Sequence, residues 1–330
     1  MAKLQLSLAV LANDRSRPII DGTVRPEGVD FTVTVGKSAG EIFWRQLHFQ
    51  EFDVSEMSLS EMLMLVSRGD RSWLMLPVFM TRRFFHTNIL VRTDAGITQP
   101  RDLQGKRVGV AEYIQTAGLW ARGVLQDEFG VMPRSVKWFQ ERSESMSHST
   151  MFGLQSSGLF QHIPDDKTIG AMMLAGELDA TINYSGVPNL VDRSSTKLRA
   201  HPAVRPLFPN SEGEDHRYYQ KTGIFPMNHG PVIRRSIVER HPWVVLNLYQ
   251  AFIAAKRQAA ARAKELVDMY VSLGQLSPET QAVLKSDPLP YGIKKNRNAL
   301  ETCARYSYEQ GLSPRIVAID ELFADATLSF

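Results

Sequence analysis

The chain has 330 residues, of which 43% are hydrophobic and 22% are charged, and its 38 Lys and Arg against 35 Asp and Glu leave a formal net charge of +3. This composition excludes a disordered chain and a broadly basic surface for nucleic acid. The single cysteine, Cys303, excludes an internal disulfide and a zinc site made of several thiolates. At this length, two lobes are expected rather than one core.

The N-terminus has the pattern of a strand and not of a secretion signal. Apolar residues alternate with other residues over Leu4–Val10, and Asn13-Asp14-Arg15 follows where a leader would carry small residues. No window approaches the roughly 20 apolar residues of a membrane span. We therefore expect a cytoplasmic protein that neither binds nucleic acid nor enters a membrane.

Strands and helices alternate through the first two thirds of the chain. Strands are predicted at Leu4–Val10, Val29–Val35, Leu74–Val78, Arg107–Val110, Ser135–Phe139 and Asp179–Asn183. Helical spacing of apolar residues lies between most of them. This alternation predicts an α/β fold, with mostly parallel sheets flanked by helices.

Capping residues indicate where the helices begin and end. Ser58 and Glu61 have the spacing of a capping box, and Thr116 is a candidate cap for a helix that runs to about Phe129. Later helix starts are predicted at Ser236, Pro242, Ser277-Pro278 and Ser313-Pro314. The apolar face of these C-terminal helices has two interpretations: it pairs two subunits of a homo-oligomer, or it covers the first lobe.

The chain has no dinucleotide-binding, P-loop, hydrolase or zincin motif, so the candidate site residues come from loops. Asp14 and Arg15 follow the first strand, and open α/β sheets bind ligands beyond the carboxyl ends of their strands. Glu56 and Ser58 precede a helix N-terminus, where the dipole favours an anion. The alternatives are a solvated turn for the first pair and plain helix capping for Ser58.

Arg82, Arg83 and His86 lie together in the loop after the strand that ends at Val78. Two arginines suit a dianionic substrate, because a guanidinium pairs with a carboxylate through two hydrogen bonds. A histidine exchanges protons near neutral pH. The alternative interpretation is a charged loop with a core histidine.

Further candidates lie in the second half of the strand–helix pattern. Glu112 and Thr116 connect a strand to a helix whose first amides can hold a carboxylate, although an ordinary connection would have the same pattern. His229 ends an extended segment, Thr222–Gly230, that is expected to return from one lobe to the other and to face the cleft. Tyr184 follows a predicted strand and is included as a substrate-binding candidate. The remaining histidines, His148 among them, are interpreted as structural.

Several motifs together resemble the 4,5-dihydroxyphthalate decarboxylases, cytoplasmic enzymes with the fold of type II periplasmic binding proteins. The motifs are residues 52–60 (FDVSEMSLS), 77–79 (PVF), 85–86 (FH), 102–110 (DLQGKRVGV), 108–117 (VGVAEYIQTA), 176–180 (GELDA), 218–219 (YY), 222–226 (TGIFP) and 239–244 (ERHPWV). The resemblance extends from about Leu6 to about Leu322.

The resemblance implies two α/β lobes with a ligand cleft between them. Lobe 1 is expected to comprise residues 1–92 and 223–330, and lobe 2 residues 93–222. The implied reaction of phthalate degradation converts 4,5-dihydroxyphthalate into protocatechuate and CO2 without oxidation. The site then needs a base at a ring hydroxyl, an acid at the ring carbon that loses its carboxylate, and a clamp for carboxylates.

We assign the predicted roles as follows. His86 is the proton donor to the ring carbon, and Glu56 and His229 act on the catechol hydroxyls. The carboxylates are held by Arg15, Arg82 or Arg83, with help from Thr116. No cofactor is expected; the alternative is a divalent metal ion held by His86, His229, Glu56 and Glu112.

Two functional alternatives accompany this prediction. The family commonly has Arg at the position of Phe85 and Pro at that of Ala111, and these departures near the expected cleft leave a different aromatic acid as a possible substrate. The fold also serves proteins that bind small molecules without catalysis. Release of CO2 from 4,5-dihydroxyphthalate distinguishes an enzyme from an aromatic-acid-binding protein.

Overall fold

The computed structural model describes residues 2–154 and 157–330. The strands are β1 (Leu4–Val10), β2 (Val29–Val35), β3 (Val54–Ser58), β4 (Trp73–Met75), β5 (Ile89–Arg92), β6 (Arg107–Val110), β7 (Lys137–Gln140), β8 (Gln161–His162), β9 (Ala180–Ile182), β10 (Val204–Pro206) and β11 (His229–Arg234). The α-helices are α1 (Arg17–Ile20), α2 (Ala39–Phe49), α3 (Leu59–Ser67), α4 (Thr116–Phe129), α5 (Ile169–Ala175), α6 (Ser211–Thr222), α7 (Arg235–Arg240), α8 (Val244–Ser272), α9 (Pro278–Lys285) and α10 (Arg297–Glu309).

The first sheet has the strand order β2-β1-β3-β11-β4. Strands β1, β2 and β3 are parallel, whereas β11 runs antiparallel to both β3 and β4. Strand β11 therefore returns the chain to the first sheet after the second sheet is complete. Its register pairs His229 with Ser58 and Pro231 with Glu56, so two predicted site residues, Glu56 and His229, lie on adjacent strands.

The second sheet has the order β10-β5-β9-β6-β7-β8. Strands β9, β6, β7 and β8 are parallel, and β5 is antiparallel to β9 and β10. We call the elements around the first sheet lobe 1 and those around the second sheet lobe 2. The predicted boundaries at 92/93 and 222/223 stay predictions, although Ile89–Arg92 already pairs within the second sheet.

The strongest periodic segments have the predicted bounds. Strands β1, β2 and β6 begin and end as predicted, and α4 runs from Thr116 to Phe129 with Gly130 in the left-handed region. Local hydrophobic periodicity and a C-terminal glycine are sufficient for such segments. The predicted third strand is displaced, because Trp73–Met75 is the segment that pairs with β11.

Several predicted helix caps are wrong. Ser58 precedes α3 but makes no side-chain capping bond, and its hydroxyl instead contacts the hydroxyl of Thr116. Thr116 is the first residue of α4 and not its cap. Ser236 lies within α7, and Ser313-Pro314 begins no α-helix. A tertiary partner for the serine hydroxyl explains why the local capping pattern failed at Ser58.

The long helix α8 bears on the two interpretations of the C-terminal apolar face, which are subunit pairing and covering of the first lobe. Its first half packs on the first sheet through buried residues that include Val245, Leu248 and Phe252. Its second half leaves Leu266 and Met269 exposed. The helix therefore covers lobe 1, and pairing of two subunits stays a prediction. Within residues 2–154 and 157–330, no helix combines the length and the apolar character that a bilayer crossing needs.

Helix α10 contacts one helix of each lobe. It packs against α3 and α4, and the buried Arg122 of α4 donates from Nε to the side-chain oxygen of Gln310, 2.7 Å away. Cys303 on the same helix is fully buried, and burial raises the pKa of its thiol. These contacts make Cys303 an inert core residue, as its place in a predicted helix suggests.

Candidate active site

A small cavity of about 70 Å³ lies between the lobes, where three helices begin. Its lining residues are Ala39, Gly40, Phe43, Ser58, Glu61 and Asn228 from lobe 1, and Gln115, Thr116, Ala117, Arg142 and His148 from lobe 2. The N-termini of α2, α3 and α4 are all represented in this set. Unpaired amides and helix dipoles at such ends favour an anion.

Glu61 and His148 form a buried pair across the cleft. Nδ1 of His148 lies 2.5 Å from Oε1 of Glu61, and both side chains are 1% exposed. Glu61 belongs to α3 of lobe 1, whereas His148 begins a 3₁₀ turn at 148–152 in lobe 2. Sequence reasoning missed this pair, because its members are 87 positions apart and belong to no motif.

The hydrogen bonds of His148 define its tautomer. Nη1 of Arg142 lies 3.2 Å from Nε2 of His148. A guanidinium can only donate, so in the neutral ring Nε2 accepts in this contact and the proton is assigned to Nδ1, which faces Glu61. The carbonyl of Gly40 also lies 3.2 Å from Nε2 and is available to accept from a protonated ring.

Glu112 holds the turn that carries His148. One of its carboxylate oxygens accepts from the Ser147 hydroxyl and from the backbone N–H of Ser149, at 3.2 and 3.3 Å, and the other accepts from the backbone N–H of His148 at 3.0 Å. Glu112 has no exposed surface, and both of its carboxylate oxygens are occupied by these hydrogen bonds. The predicted substrate-binding residue therefore positions His148 in this structure.

Arg142 is buried among carboxylates. Its Nε donates to Asp192 at 2.7 Å, and Nη1 lies 4.0 Å from Glu112. Burial acts to lower the pKa of Arg142, but Asp192 and Glu112 outweigh it and hold the pKa above its ordinary value. Burial likewise acts to raise the pKa of Asp192, and Arg142 holds it below the ordinary value. The guanidinium is therefore a permanent positive charge at the cavity wall.

Ser58 and Thr116 connect the lobes at the same cavity. Their hydroxyl oxygens lie 2.9 Å apart, and the backbone N–H of Ser60 donates to Thr116 at 2.9 Å. These two predicted site residues are brought together, one from each lobe. In this closed arrangement the two hydroxyl groups are hydrogen-bonded to each other.

Glu56 and His229 form a second buried pair, contained entirely in lobe 1. Oε2 of Glu56 lies 2.6 Å from Nδ1 of His229, although neither atom has a hydrogen bond of acceptable angle. The other oxygen of Glu56 accepts from the backbone N–H of Leu11 at 2.8 Å. The ring of Phe43 contacts both imidazoles edge-on, with centroid separations of 5.5 Å to His229 and 6.5 Å to His148. Neither Glu56 nor His229 lines the cavity itself; Phe43 does line it, and its ring links the two Glu–His pairs.

Arg15 lies beside the second pair. Its guanidinium donates to the carbonyl of Met80 at 2.6 Å, and the N–H of Met80 donates to the carbonyl of His229. Nε of Arg15 is buried without a hydrogen-bond partner. Burial raises the pKa of the neighbouring Tyr291 to about 12, against the lowering effect of Arg15. Asp14 is exposed, as the solvated-turn interpretation expects.

His86 has its contacts elsewhere. Its Nε2 lies 3.3 Å from Oε1 of Glu214 on α6, and its ring contacts the rings of Phe84, Phe208 and Tyr218. None of these residues lines the cavity, and the His86 side chain has no exposed surface. The contacts are those of a core histidine and give no support to its assignment as proton donor.

The remaining predicted binding residues also have structural partners. Arg82 donates to the carbonyls of Phe225 and Pro290 and to the side chain of Asn296, and burial lowers its pKa to about 10. Arg83 is exposed. The Tyr184 hydroxyl donates to the carbonyl of Thr196 at 2.8 Å, and burial raises its pKa. In this arrangement neither Arg82 nor Tyr184 lines the cavity, because tertiary partners that the sequence does not reveal already hold them.

The ion pair of Glu214 predicts how pH acts on the fold. Although burial acts to raise its pKa, Arg217 and His86 hold the pKa at about 2, below the ordinary 4.5. A depressed carboxyl pKa means that ionised Glu214 stabilises the fold above its ordinary pKa, and that this contribution is lost as the pH falls towards 2. We expect Glu214→Gln to lower the free energy of unfolding at pH 7 and to have a smaller effect at pH 3. Urea denaturation at both pH values checks this; an equal loss at both would contradict it.

The residues proposed for a metal site are divided in this structure. Glu56 and His229 are in contact, but His86 faces Glu214 and Glu112 holds the turn at 147–149. Among residues 2–154 and 157–330, no group of three or more His, Cys, Asp and Glu is arranged to hold a metal ion. The four residues predicted as metal ligands are therefore not arranged around one metal ion in this structure.

Comparisons with solved structures support the fold alone. The alkanesulfonate-binding protein SsuA of Xanthomonas axonopodis pv. citri, bound to MOPS, superposes with a TM-score of 0.56 at 15% identity, covering 98% of this chain and 99% of that one. The desulfurization enzyme DSZB superposes with a TM-score of 0.55 at 16% identity, covering 99% and 98%. The predicted two-lobed, periplasmic-binding-protein-like α/β fold is confirmed.

Sequence comparison is more specific, although no protein-family model matches the chain. A 4,5-dihydroxyphthalate decarboxylase of Comamonas testosteroni is 32% identical over 333 residues, covering 99% of this chain and 98% of that protein. One of Pseudomonas putida is 33% identical over 222 residues, covering 67% and 83%. Such identity along nearly the whole chain establishes the relationship that the motifs indicate: this protein belongs to the 4,5-dihydroxyphthalate decarboxylase family.

Proposed function

We propose that this protein is a carboxy-lyase that converts 4,5-dihydroxyphthalate into protocatechuate and CO2. The observation that carries this proposal is the 32% identity to a decarboxylase of that name along 99% of the chain. The cleft supports it chemically, because three helix N-termini and the buried Arg142 converge on one cavity. A small aromatic dicarboxylate needs such a concentration of positive potential.

The two carboxylates of the substrate and its two hydroxyls call for different partners. Arg142 and the amides of α2 and α4 suit the carboxylates, since charge-assisted hydrogen bonds are strong in a buried site. The Glu56–His229 pair suits a hydroxyl, because an imidazole backed by a carboxylate is a good proton acceptor. Arg15, next to this pair, adds a positive charge that favours the resulting phenolate.

The reaction then needs no electron sink beyond the ring. His229 takes the proton of the hydroxyl para to the departing carboxylate. Electrons move into the ring, and the carbon that bears the carboxylate is protonated by an acid, giving a dienone-like intermediate. The carbon–carbon bond breaks, CO2 leaves, the bonding pair restores the aromatic ring, and the proton on His229 returns to the para oxygen. One proton is consumed for each CO2 released.

The experiment that tests the function is direct. Purified protein is incubated with 4,5-dihydroxyphthalate, and CO2 and protocatechuate are measured together with a panel of other hydroxylated aromatic acids. We expect both products in equal amounts from 4,5-dihydroxyphthalate. Binding of the panel without any CO2 release would contradict the proposal and leave an aromatic-acid-binding protein. Turnover of another acid alone would change the substrate and not the reaction.

The proposal includes four further expectations from the sequence, one of which is that the protein forms a homo-oligomer. The enzyme works in the cytoplasm, without a resident cofactor and without a nucleic-acid or membrane partner. Activity that survives exhaustive chelation, with no metal detected by elemental analysis, supports the cofactor-free version. Sedimentation of the purified protein tests the homo-oligomer.

Gly40 offers a test of the anion site. A Cβ at this position would lie 2.5 Å from Nη2 of Arg142 and 3.0 Å from a methyl group of Val191. Gly40 is in the first turn of α2, where alanine is a good helix former. We therefore expect Gly40→Ala to displace Arg142, to lower the free energy of unfolding by about 1–3 kcal/mol through overpacking, and to raise KM. Initial-rate kinetics measure KM. An unchanged KM would mean that Arg142 does not bind the substrate.

A further inference from the structure

We propose that His148 is a catalytic residue, the acid that protonates the ring carbon, and that Glu61 is the positioning residue that completes it when the lobes close. This inference rests on the proposed function and deepens it. It replaces His86, whose contacts with Glu214 and three aromatic rings leave it outside the cavity. His148 is the histidine that lines the cavity itself.

The Glu61–His148 pair is divided between the lobes, unlike the Glu56–His229 pair. Glu56 and His229 lie on adjacent strands of one sheet, so that pair does not depend on closure. Glu61 and His148 come from α3 and from the turn at 148–152, and only the approach of lobe 2 to lobe 1 brings them to 2.5 Å. Closure thus assembles an acid that the open protein lacks.

The size of the cavity requires that the lobes separate for binding. About 70 Å³ is far below the roughly 300 Å³ of a typical small-molecule pocket. The contacts that seal it all cross the cleft: Ser58 with Thr116, Glu61 with His148, and the indole N–H of Trp44 with the carbonyl of Ser145. Substrate entry must break some of them, and closure over the ring restores the pair and excludes water.

The groups around His148 suit both of its protonation states. Glu61 faces Nδ1 from α3, Arg142 and the Gly40 carbonyl face Nε2, and Glu112 accepts the backbone N–H. Arg142 donates to the neutral ring, whereas the Gly40 carbonyl accepts from the protonated one. A dianionic substrate attracts the Arg142 guanidinium away from Nε2. Its two negative charges also stabilise a positively charged imidazole at His148. The Nε2 proton then lies beside Arg142 and Gly40, which both line the cavity.

Each bond in the step is accounted for. The Nε2–H bond of the protonated His148 breaks as a carbon–hydrogen bond forms at the carboxylated ring carbon, using the electron pair supplied from the ionised para hydroxyl. The carbon–carboxylate bond then breaks, its pair returns to the ring, CO2 leaves, and His229 returns its proton to the para oxygen. Neutral His148 regains a proton from solvent when the lobes open. Glu61 remains a carboxylate throughout.

The test compares His148→Gln with an exposed control, His216→Gln, in the full-length protein. For His148→Gln we expect kcat to fall by about 10²–10⁴-fold, the usual contribution of an acid or base. Affinity for the product protocatechuate, measured by calorimetry, should stay near that of the wild type. His216 lies on the exposed face of α6, so its variant should keep both values. A near-normal kcat in His148→Gln would overturn the proposal.

Chemical rescue separates an acid from a structural residue. His148→Ala vacates the ring position, and added imidazole should restore part of the turnover in proportion to its concentration. Imidazole should not change the His216→Gln rate. An inactive His148→Ala that binds protocatechuate and gains nothing from imidazole or its methyl derivatives would overturn the proton-donor role.

Variants of Glu61 give a second test, which applies even if the His148 variants do not fold. Glu61→Gln keeps an acceptor for Nδ1 but removes the charge that stabilises a protonated ring. We expect a lower kcat, an alkaline limb of the pH profile that moves to lower pH, and an unchanged product affinity; Glu61→Asp should restore much of that limb. An unchanged profile would overturn the pairing. If the wild type releases no CO2 at all, the proposed function fails, and this outcome differs from every one above.

Discussion

Replacement of His229 by glutamine is expected to lower kcat for 4,5-dihydroxyphthalate by about 10²–10⁴-fold, because a positioned general base contributes that much to a rate. His229 is 2% exposed and lies 2.6 Å from Glu56, which has no exposed surface. In the proposed reaction it removes the proton of the para hydroxyl, so its loss slows the chemistry more than binding. Steady-state kinetics should show a reduced kcat with a KM near the wild-type value.

His86→Gln distinguishes this arrangement from the one that the sequence predicts. Both histidines are buried beside a glutamate, but His86 faces Glu214 on α6 and not the cleft. We therefore expect His86→Gln to affect stability and to leave turnover per folded molecule near the wild-type value. A collapse of kcat in folded His86→Gln, with a normal rate in His229→Gln, would reverse the assignment.

Arg142→Met is expected to have the largest effect on the folded protein. The guanidinium is 5% exposed and is the positive partner of Asp192, with Glu112 4.0 Å away. Removal of one member of a buried ion pair leaves an uncompensated charge and costs about 3–5 kcal/mol. We expect this loss in the free energy of unfolding by urea at neutral pH, together with loss of affinity for phthalate, a carboxylate probe that lacks the hydroxyls.

A surface arginine supplies the matched control. Arg297 pairs with Asp320, and their side chains are 41% and 55% exposed. Exposed pairs contribute only about 0–1 kcal/mol, so Arg297→Met should change neither phthalate affinity nor stability by a comparable amount. If Arg142→Met matched Arg297→Met in both measurements, Arg142 would neither stabilise the fold through its buried ion pair nor bind the substrate.

In the proposed reaction, the two buried Glu–His pairs that contact Phe43 have different roles. The Glu56–His229 pair is fixed within one sheet, whereas the Glu61–His148 pair is completed by the second lobe. A base that is always present and an acid that closure assembles would confine proton transfer to the closed, dehydrated state. The Phe43 ring makes an edge contact with the imidazole of each pair, so a single side chain connects the two pairs.

The sequence by itself determined the fold class, the family and much of the local structure. Strands β1, β2 and β6 and helix α4 have their predicted bounds because alternation and helical periodicity are short-range signals. The family was predicted correctly because its motifs are spread over most of the chain. The sequence also predicted Ser58 and Thr116 as site residues, and both line the cavity.

Only the tertiary structure decided which polar side chains share the cleft. Nothing local distinguishes His148, paired with Glu61 from 87 positions away, from His86, which is enclosed by aromatic rings on α6 and its neighbours. Nor does a sequence show that Arg82 is held by backbone carbonyls while Arg142 lines a cavity. Burial and ion pairing depend on the packing of one lobe against the other. Local patterns carry no information about that packing, and so the acid of the proposed reaction could be identified only once both lobes were in place.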